Sequence, residues 1–150
     1  MLPEEYLRLL GKIGDRFTHC FSVAAIDRPD QPLVYVNEKF ETDTGYPRDE
    51  VLGRNCRFLQ GSLRDQPSVG VIRAAIADGR AIAQDVVNER RDGSRFVNRL
   101  VLLPFRYISL PGDRFYVGIQ RVLPCAADAA PSPLAGTHRE IEHAVNNPLA

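Results

Sequence analysis

No apolar run in the 150-residue chain approaches the roughly 20 residues a helix needs to cross a bilayer. Neither sign of charge is in excess: 19 Lys and Arg stand against 19 Asp and Glu, for a formal net charge of 0. The basic footprint of a nucleic-acid-binding protein is therefore missing. Cysteine is sparse, with only Cys20, Cys56 and Cys125, and no CxxC pair occurs. That argues against a disulfide framework and against a zinc site, so any thiol here acts alone. GxGxxG and GxxxxGK are both absent, which removes the usual nucleotide-phosphate loops. The first ten residues mix charged and apolar side chains and lack the continuous apolar centre of a secretory signal. These absences point to a cytoplasmic protein with no membrane, nucleic-acid or metal partner.

What is present suffices for one core. Hydrophobic residues make up 44% and charged residues 25%, close to the globular average. The length allows one domain with terminal extensions.

The pattern divides the chain into four parts. Residues 1–19 contain an amphipathic helix over about 3–17, whose stripe is Tyr6, Leu10, Ile13 and Phe17. Such a stripe must pack on the domain or on a second copy of it. Residues 20–122 are the main body. Two short strands, 21–26 and 33–36, flank a turn rich in Asp and Pro. Asn37 is placed to cap a helix ending at Gly45, and Pro47 opens another that stops at Gly53. A longer helix covers 66–78, with Gly79 after it. Three β segments follow, at about 81–90, 95–107 and 114–122. Asp92-Gly93 signals a hairpin between the first two, and Leu110 to Asp113 turns into the third. The order predicts an α+β fold: one five-stranded antiparallel sheet with short helices on one face. Residues 123–136 read as an Ala/Pro linker and 137–150 as a polar helical tail.

The most informative stretch is Gly53-Arg54-Asn55-Cys56-Arg57-Phe58-Leu59-Gln60-Gly61, a thiol set between amides and guanidinium groups. A Cys-x5-Arg phosphate loop would need arginine at position 62, which is Ser62. A Cys–His enzyme would need a base, yet the three histidines, His19, His138 and His143, lie in or near the flanks. Ordinary nucleophilic catalysis by Cys56 is poorly supported.

This stretch resembles the signature of light-oxygen-voltage (LOV) domains, the flavin-binding photoreceptor branch of the PAS superfamily. Further segments fall in that family's order: Tyr35-Val36-Asn37 through Phe40, Thr44-Gly45-Tyr46, Glu50 to Gly53, Ile72-Arg73, Asp92-Gly93 through Asn98, and Gly118-Ile119-Gln120. The resemblance spans about residues 21–122. It implies a PAS/LOV fold and FMN as cofactor. It implies a blue-light photoreceptor in which Cys56 forms a reversible cysteinyl adduct at flavin C4a. It also implies that Asn55 and Gln60 line the pocket, that Arg57 and Arg73 hold the phosphate, and that Asn88 and Asn98 meet the pyrimidine edge. Leu59, Leu100, Leu102 and Tyr116 would form apolar walls. Gln120 would sit at N5 and start the signal. Glu89 and Val97 depart from the family, which often carries aromatic residues there.

The terminal helices would transmit the signal, with a homodimer formed through them. His143-x-x-Asn146-Asn147-Pro148-Leu149 resembles the phospho-accepting box of sensor histidine kinases, although an ordinary tail helix ended by Asn-Asn-Pro fits equally. On the first reading the chain is the sensor fragment of a histidine kinase, and a kinase or response regulator lies downstream. A third reading is a redox-sensing flavin PAS module without photochemistry. No reading makes these 150 residues an enzyme in themselves.

Overall fold

The computed structural model describes residues 4–106 and 114–125. The turn expected at 110–113, most of the linker, and the tail with His143 lie outside the described residues. Helix α1 spans Glu4–Gly14. Strands β1 (Cys20–Ala25) and β2 (Leu33–Val36) follow. Then come helices α2 (Glu38–Thr44) and α3 (Arg48–Val51), a 3-10 turn at Cys56–Gln60, and helix α4 (Pro67–Ala77). Strands β3 (Ile82–Glu89), β4 (Arg95–Arg106) and β5 (Arg114–Pro124) complete the described chain. They form one five-stranded sheet in the order β2-β1-β5-β4-β3, with every pairing antiparallel. The α+β architecture read from the sequence is the one observed. Strand β5 runs to Pro124, two residues into the segment read as linker, because Val97 and Phe96 of β4 still pair with Leu123 and Pro124.

The local signals explain the helices. Asn37 accepts the Phe40 N–H at 3.0 Å as the N-cap of α2, and Gly45 closes that helix with φ 78°, where a Cβ would be strained. Gln66 precedes α4 without capping it. Its amide instead accepts from Val87 N (2.8 Å) and donates to Val87 O (2.7 Å), acting as one residue of a missing strand beside the edge strand β3.

A bulge sorts β2 between the two faces of the sheet. Val23 pairs with Tyr35 and Ala24 with Leu33, so Val34 is the extra residue. Leu33 and Val36 consequently join Cys20, Phe40, Val51 and Leu59 in the core beneath the helices. Tyr35 joins Phe21, Val23, Ala25 and Phe115 on the opposite face. Helix α1 covers that opposite face through Leu7, Leu10 and the following Phe17. The expected stripe is corrected at Ile13, which stays 43% exposed beside Leu9 at 52%. The helix stops at Gly14, so its inward positions are Leu7, Leu10 and Gly14, spaced by three and four.

Candidate functional site

Between the helices and the inner face of the sheet lies a cavity of about 490 Å³. Alternation along the strands decides which side chains reach it. Asn88 of β3, Asn98, Leu100 and Leu102 of β4, and Tyr116 and Gln120 of β5 all line it. From the helical side come Asn55, Cys56, Arg57, Leu59 and Gln60 on or beside the 3-10 turn, with Arg73 on α4. All twelve site residues expected within the described chain therefore meet in one cavity.

The sheet side carries a row of buried amides. Asn98 Nδ2 donates to Asn88 Oδ1 at 2.9 Å and to Gln120 Oε1 at 3.2 Å, using both of its hydrogens. Gln120 Nε2 in turn donates to Ser22 Oγ at 3.4 Å. One atom of this row is left over: Asn98 Oδ1 is buried without a donor. Buried acceptors of that kind are rare in folded proteins and ask for a ligand N–H. Gly118 keeps the row's end open, since a Cβ there would lie 2.7 Å from Ser22 Oγ. Tyr116 turns its hydroxyl away from the amides and donates to Arg80 O (3.0 Å) and Ala75 O (3.3 Å), which ties β5 to the end of α4.

Across the cavity, Asn55 caps the 3-10 turn by accepting the Arg57 N–H at 2.9 Å. This fixes the segment that carries the thiol. Burial pushes the Cys56 thiol up to about 12, so it is a neutral S–H over the ordinary pH range. Cys20 plays no part in the cavity. Its thiol donates to Asp43 Oδ2 at 3.4 Å, and burial and that carboxylate push its pKa up as well. Charge is concentrated at the helical side, where Arg57, Arg64 and Arg73 line the cavity.

Apolar residues such as Ile26, Val69, Ile76 and Val86 complete the lining, and three polar contributors were not legible as site residues. Ser22 occupies a strand position with no motif, and only its pairing with Gly118 places it. Gln31 lies in the β1–β2 turn, outside any periodic segment. Arg64 sits between the 3-10 turn and α4, also without a pattern to mark it. The departure at Glu89 has a local account: its carboxylate accepts from Ser62 Oγ at 2.8 Å, holding the chain just after the 3-10 turn.

The residues present fit a flavin. A planar heterocycle with alternating N–H and carbonyl groups matches a row of amides with one orphaned acceptor, and a phosphate matches the guanidinium groups that also line the cavity.

Comparison with known proteins agrees. The PAS domain profile matches residues 20–121. The blue-light-activated histidine kinase 2 of Erythrobacter litoralis is 36% identical over 138 residues, covering 90% of this chain and 39% of that protein. Phototropin-2 of Oryza sativa subsp. japonica is 46% identical over 86 residues, 57% of this chain and 10% of its own length. The chain thus spans well under half of either relative. Among solved structures, the LOV domain of an Erythrobacter litoralis blue-light-activated histidine kinase superposes with TM-score 0.65 at 39% identity, covering 71% of this chain and 97% of that one. The Rhodobacter sphaeroides LOV protein gives TM-score 0.72 at 28% identity, covering 81% and 69%. The chain belongs to the PAS family, and within it to the light-oxygen-voltage domains.

Proposed function

We propose that this chain is a blue-light sensor that holds FMN in the cavity, uses Cys56 as its photoreactive thiol, and acts in the cytoplasm as a homodimer. The observation that carries this reading is the orphaned Asn98 Oδ1, set in an amide row in the cavity that Cys56 also lines. When bound, the flavin supplies a ring that blue light turns into an electrophile. The chain's residues do the rest. Asn88, Asn98 and Gln120 orient the ring edge, while Leu59, Leu100 and Leu102 keep water from its faces. Cys56 holds its proton in the dark, because burial disfavours the thiolate. Gln120 can present either its N–H or its oxygen to the cavity, so its amide would rotate if the bound group changed from hydrogen-bond acceptor to donor.

Helix α1 supplies the contact between copies: Leu9 and Ile13, one turn apart, are exposed while the opposite side of the helix is docked on its own sheet. A histidine kinase or response regulator is the proposed receiver. His143 would accept phosphate only from an ATP-binding domain, so this chain alone is expected to show no ATP turnover.

The decisive measurement is the visible spectrum of the FMN-loaded protein before and after blue light. Bleaching of the blue band that recovers in the dark is the expected result. A flavin band indifferent to light, with Cys56 oxidising instead, would favour the redox-sensing alternative.

A further inference from the structure

The loop between β1 and β2 connects two parts of the molecule that face each other across the cavity. Its first half is fixed to the sheet. Ile26 N–H donates to Arg114 O at 2.9 Å, and Asp27 accepts from Arg114 N and Arg114 Nε, each at 2.8 Å. Its second half is held by the segment that carries Cys56. Asn55 Nδ2 donates to Asp30 O at 2.8 Å, and Arg57 Nη1 lies 2.6 Å from Asp30 Oδ1. Leu33, which opens β2, donates to Arg54 O at 2.8 Å and accepts from Gly53 N at 2.9 Å. Where the two halves meet, Asp30 and Gln31 have φ of 64° and 49°. Non-glycine residues enter that region singly and at a cost, so two in succession persist only where the surroundings impose them. Pro29 and Pro32 bracket the pair with fixed φ, which leaves these two residues to absorb any change in the loop's span.

The hold on the strained pair is weak. The side chains of Arg57 and Asp30 are 48% and 63% exposed, and an ion pair that open to solvent contributes little. Asn55 is also the cap of the 3-10 turn, so it moves with that turn. Cys56 stands between Asn55 and Arg57. Any shift of its sulfur toward a ring held by the sheet amides takes both neighbours with it, while Arg114 keeps the other half of the loop in place. We propose that the β1–β2 loop is a strained latch that responds to movement of the Cys56 turn. Displacement of the turn releases Asp30, and Asp30 and Gln31 relax out of the left-handed region. This gives the cavity a second output, separate from Gln120, that enters β2 and reaches the end of α1 where Tyr35 meets Gly14. It rests on the flavin reading above.

Amide hydrogen exchange, resolved by residue in the dark and under steady blue light, tests this, with the flavin spectrum followed in the same samples. The amides of Leu33 and of Gln31, which donates to Arg28 O at 3.0 Å, report the latch, and that of Ile26 reports the sheet side. In the FMN-loaded protein, light should speed exchange at Gln31 and Leu33 about two- to fivefold and leave Ile26 unchanged. Gln120→Leu should keep that rise, and Cys56→Ala should lose it. Asp30→Ala should show the faster exchange already in the dark, with or without flavin, and light should add little. Gln31→Asn, better suited to a positive φ, should shrink the light-induced rise. A protein that bleaches normally with no change at Gln31 and Leu33 overturns the proposal. So does a Gln120→Leu variant in which the rise disappears, since the loop would then follow the sheet. An Asp30→Ala apoprotein that exchanges as slowly as wild type also overturns it, because Asp30 would hold nothing. A flavin band indifferent to light strikes the flavin reading instead, and the dark comparison with Asp30→Ala still decides whether the loop is latched.

Discussion

A cysteine whose thiol is held near 12 by burial does not react by ordinary nucleophilic chemistry at neutral pH, where a free cysteine of pKa about 8.5 is already partly ionised. Replacing Cys56 by Ala should leave FMN bound, since the amide row and the guanidinium groups are untouched. Reversible bleaching should vanish, and spectra before and after illumination check this; bleaching that persists in the variant would move the reactive group elsewhere. The raised thiols also predict alkaline lability. Cys20 and Cys56 keep their protons in the fold at pH values where the unfolded chain has released them. Above about pH 8.5 the unfolded state therefore binds fewer protons, and stability falls as pH rises toward the folded pKa values. Urea melts of the apoprotein at about pH 8 and pH 10.5 should show this loss, and a Cys20→Ala/Cys56→Ala double variant should show less of it. At this scale the motif made the cavity residues legible, because identity and spacing define them. Ser22 and Arg64 escaped for opposite reasons: one depends on which strand lies beside β1, the other on where an irregular segment passes.

Besides the apolar contacts of Leu7 and Leu10, the end of helix α1 is held to the body of the domain by hydrogen bonds. Asn37 Nδ2 donates to Gly14 O at 2.9 Å and to His19 O at 3.0 Å, while Asn37 Oδ1 accepts from Phe21 N and Phe40 N, each at 3.0 Å. One buried side chain, fully satisfied, thus ties the end of α1 to β1 and α2. Beside it, a Cβ built on Gly14 would overlap the Tyr35 hydroxyl, which is itself buried without a partner. Two consequences follow from that pair. Tyr35→Phe should be neutral or stabilise by up to about 1 kcal/mol, because it removes an unsatisfied buried donor. Gly14→Ala should destabilise by about 1–3 kcal/mol through overpacking, and Tyr35→Phe should restore much of the loss. Urea denaturation of the two single variants and the double variant measures the coupling; additive effects would show that the helix end and Tyr35 do not meet. The helix itself was legible from its periodicity, and its inward face in part: Leu10 and Phe17 pack on the core and Ile13 does not. Ile13 shares the spacing of the stripe, yet the chain leaves the helix at Gly14 and Phe17 packs from beyond it. Periodicity fixes a face only as far as the helix runs. The bulge at Val34 was hidden for a similar reason, since Leu33 to Val36 are apolar throughout and no alternation shows which side each faces.

Output at the level of the whole molecule is limited by the size of the input. One hydrogen bond exchanged at Gln120 contributes about 0.5–1.5 kcal/mol, whereas inverting a 1:99 equilibrium takes about 5.5 kcal/mol. Two sites coupled across a dimer would supply about 1–3 kcal/mol, enough for a partial redistribution and not for a complete switch. The route proposed for that signal runs along the sheet. Gln120 on β5 pairs with Cys20 at the start of β1, and the carbonyl of the preceding His19 is held by Asn37, which also holds Gly14 at the end of α1. Leu9 and Ile13 lie on the exposed side of the element that would receive the shift on this proposal. On the proposed homodimer, replacing both by Glu should separate the copies by placing like charges on the contact face, and size exclusion should report the smaller species in the dark. Bleaching and recovery should be retained, because neither residue lines the cavity. Gln120→Leu should do the reverse, keeping the dimer but weakening the light-induced change in scattering, since leucine fills similar volume and cannot exchange a hydrogen bond. A Leu9→Glu/Ile13→Glu variant that remains dimeric would place the contact outside α1. A Gln120→Leu variant with an undiminished light response would show that the signal leaves the cavity by another side chain.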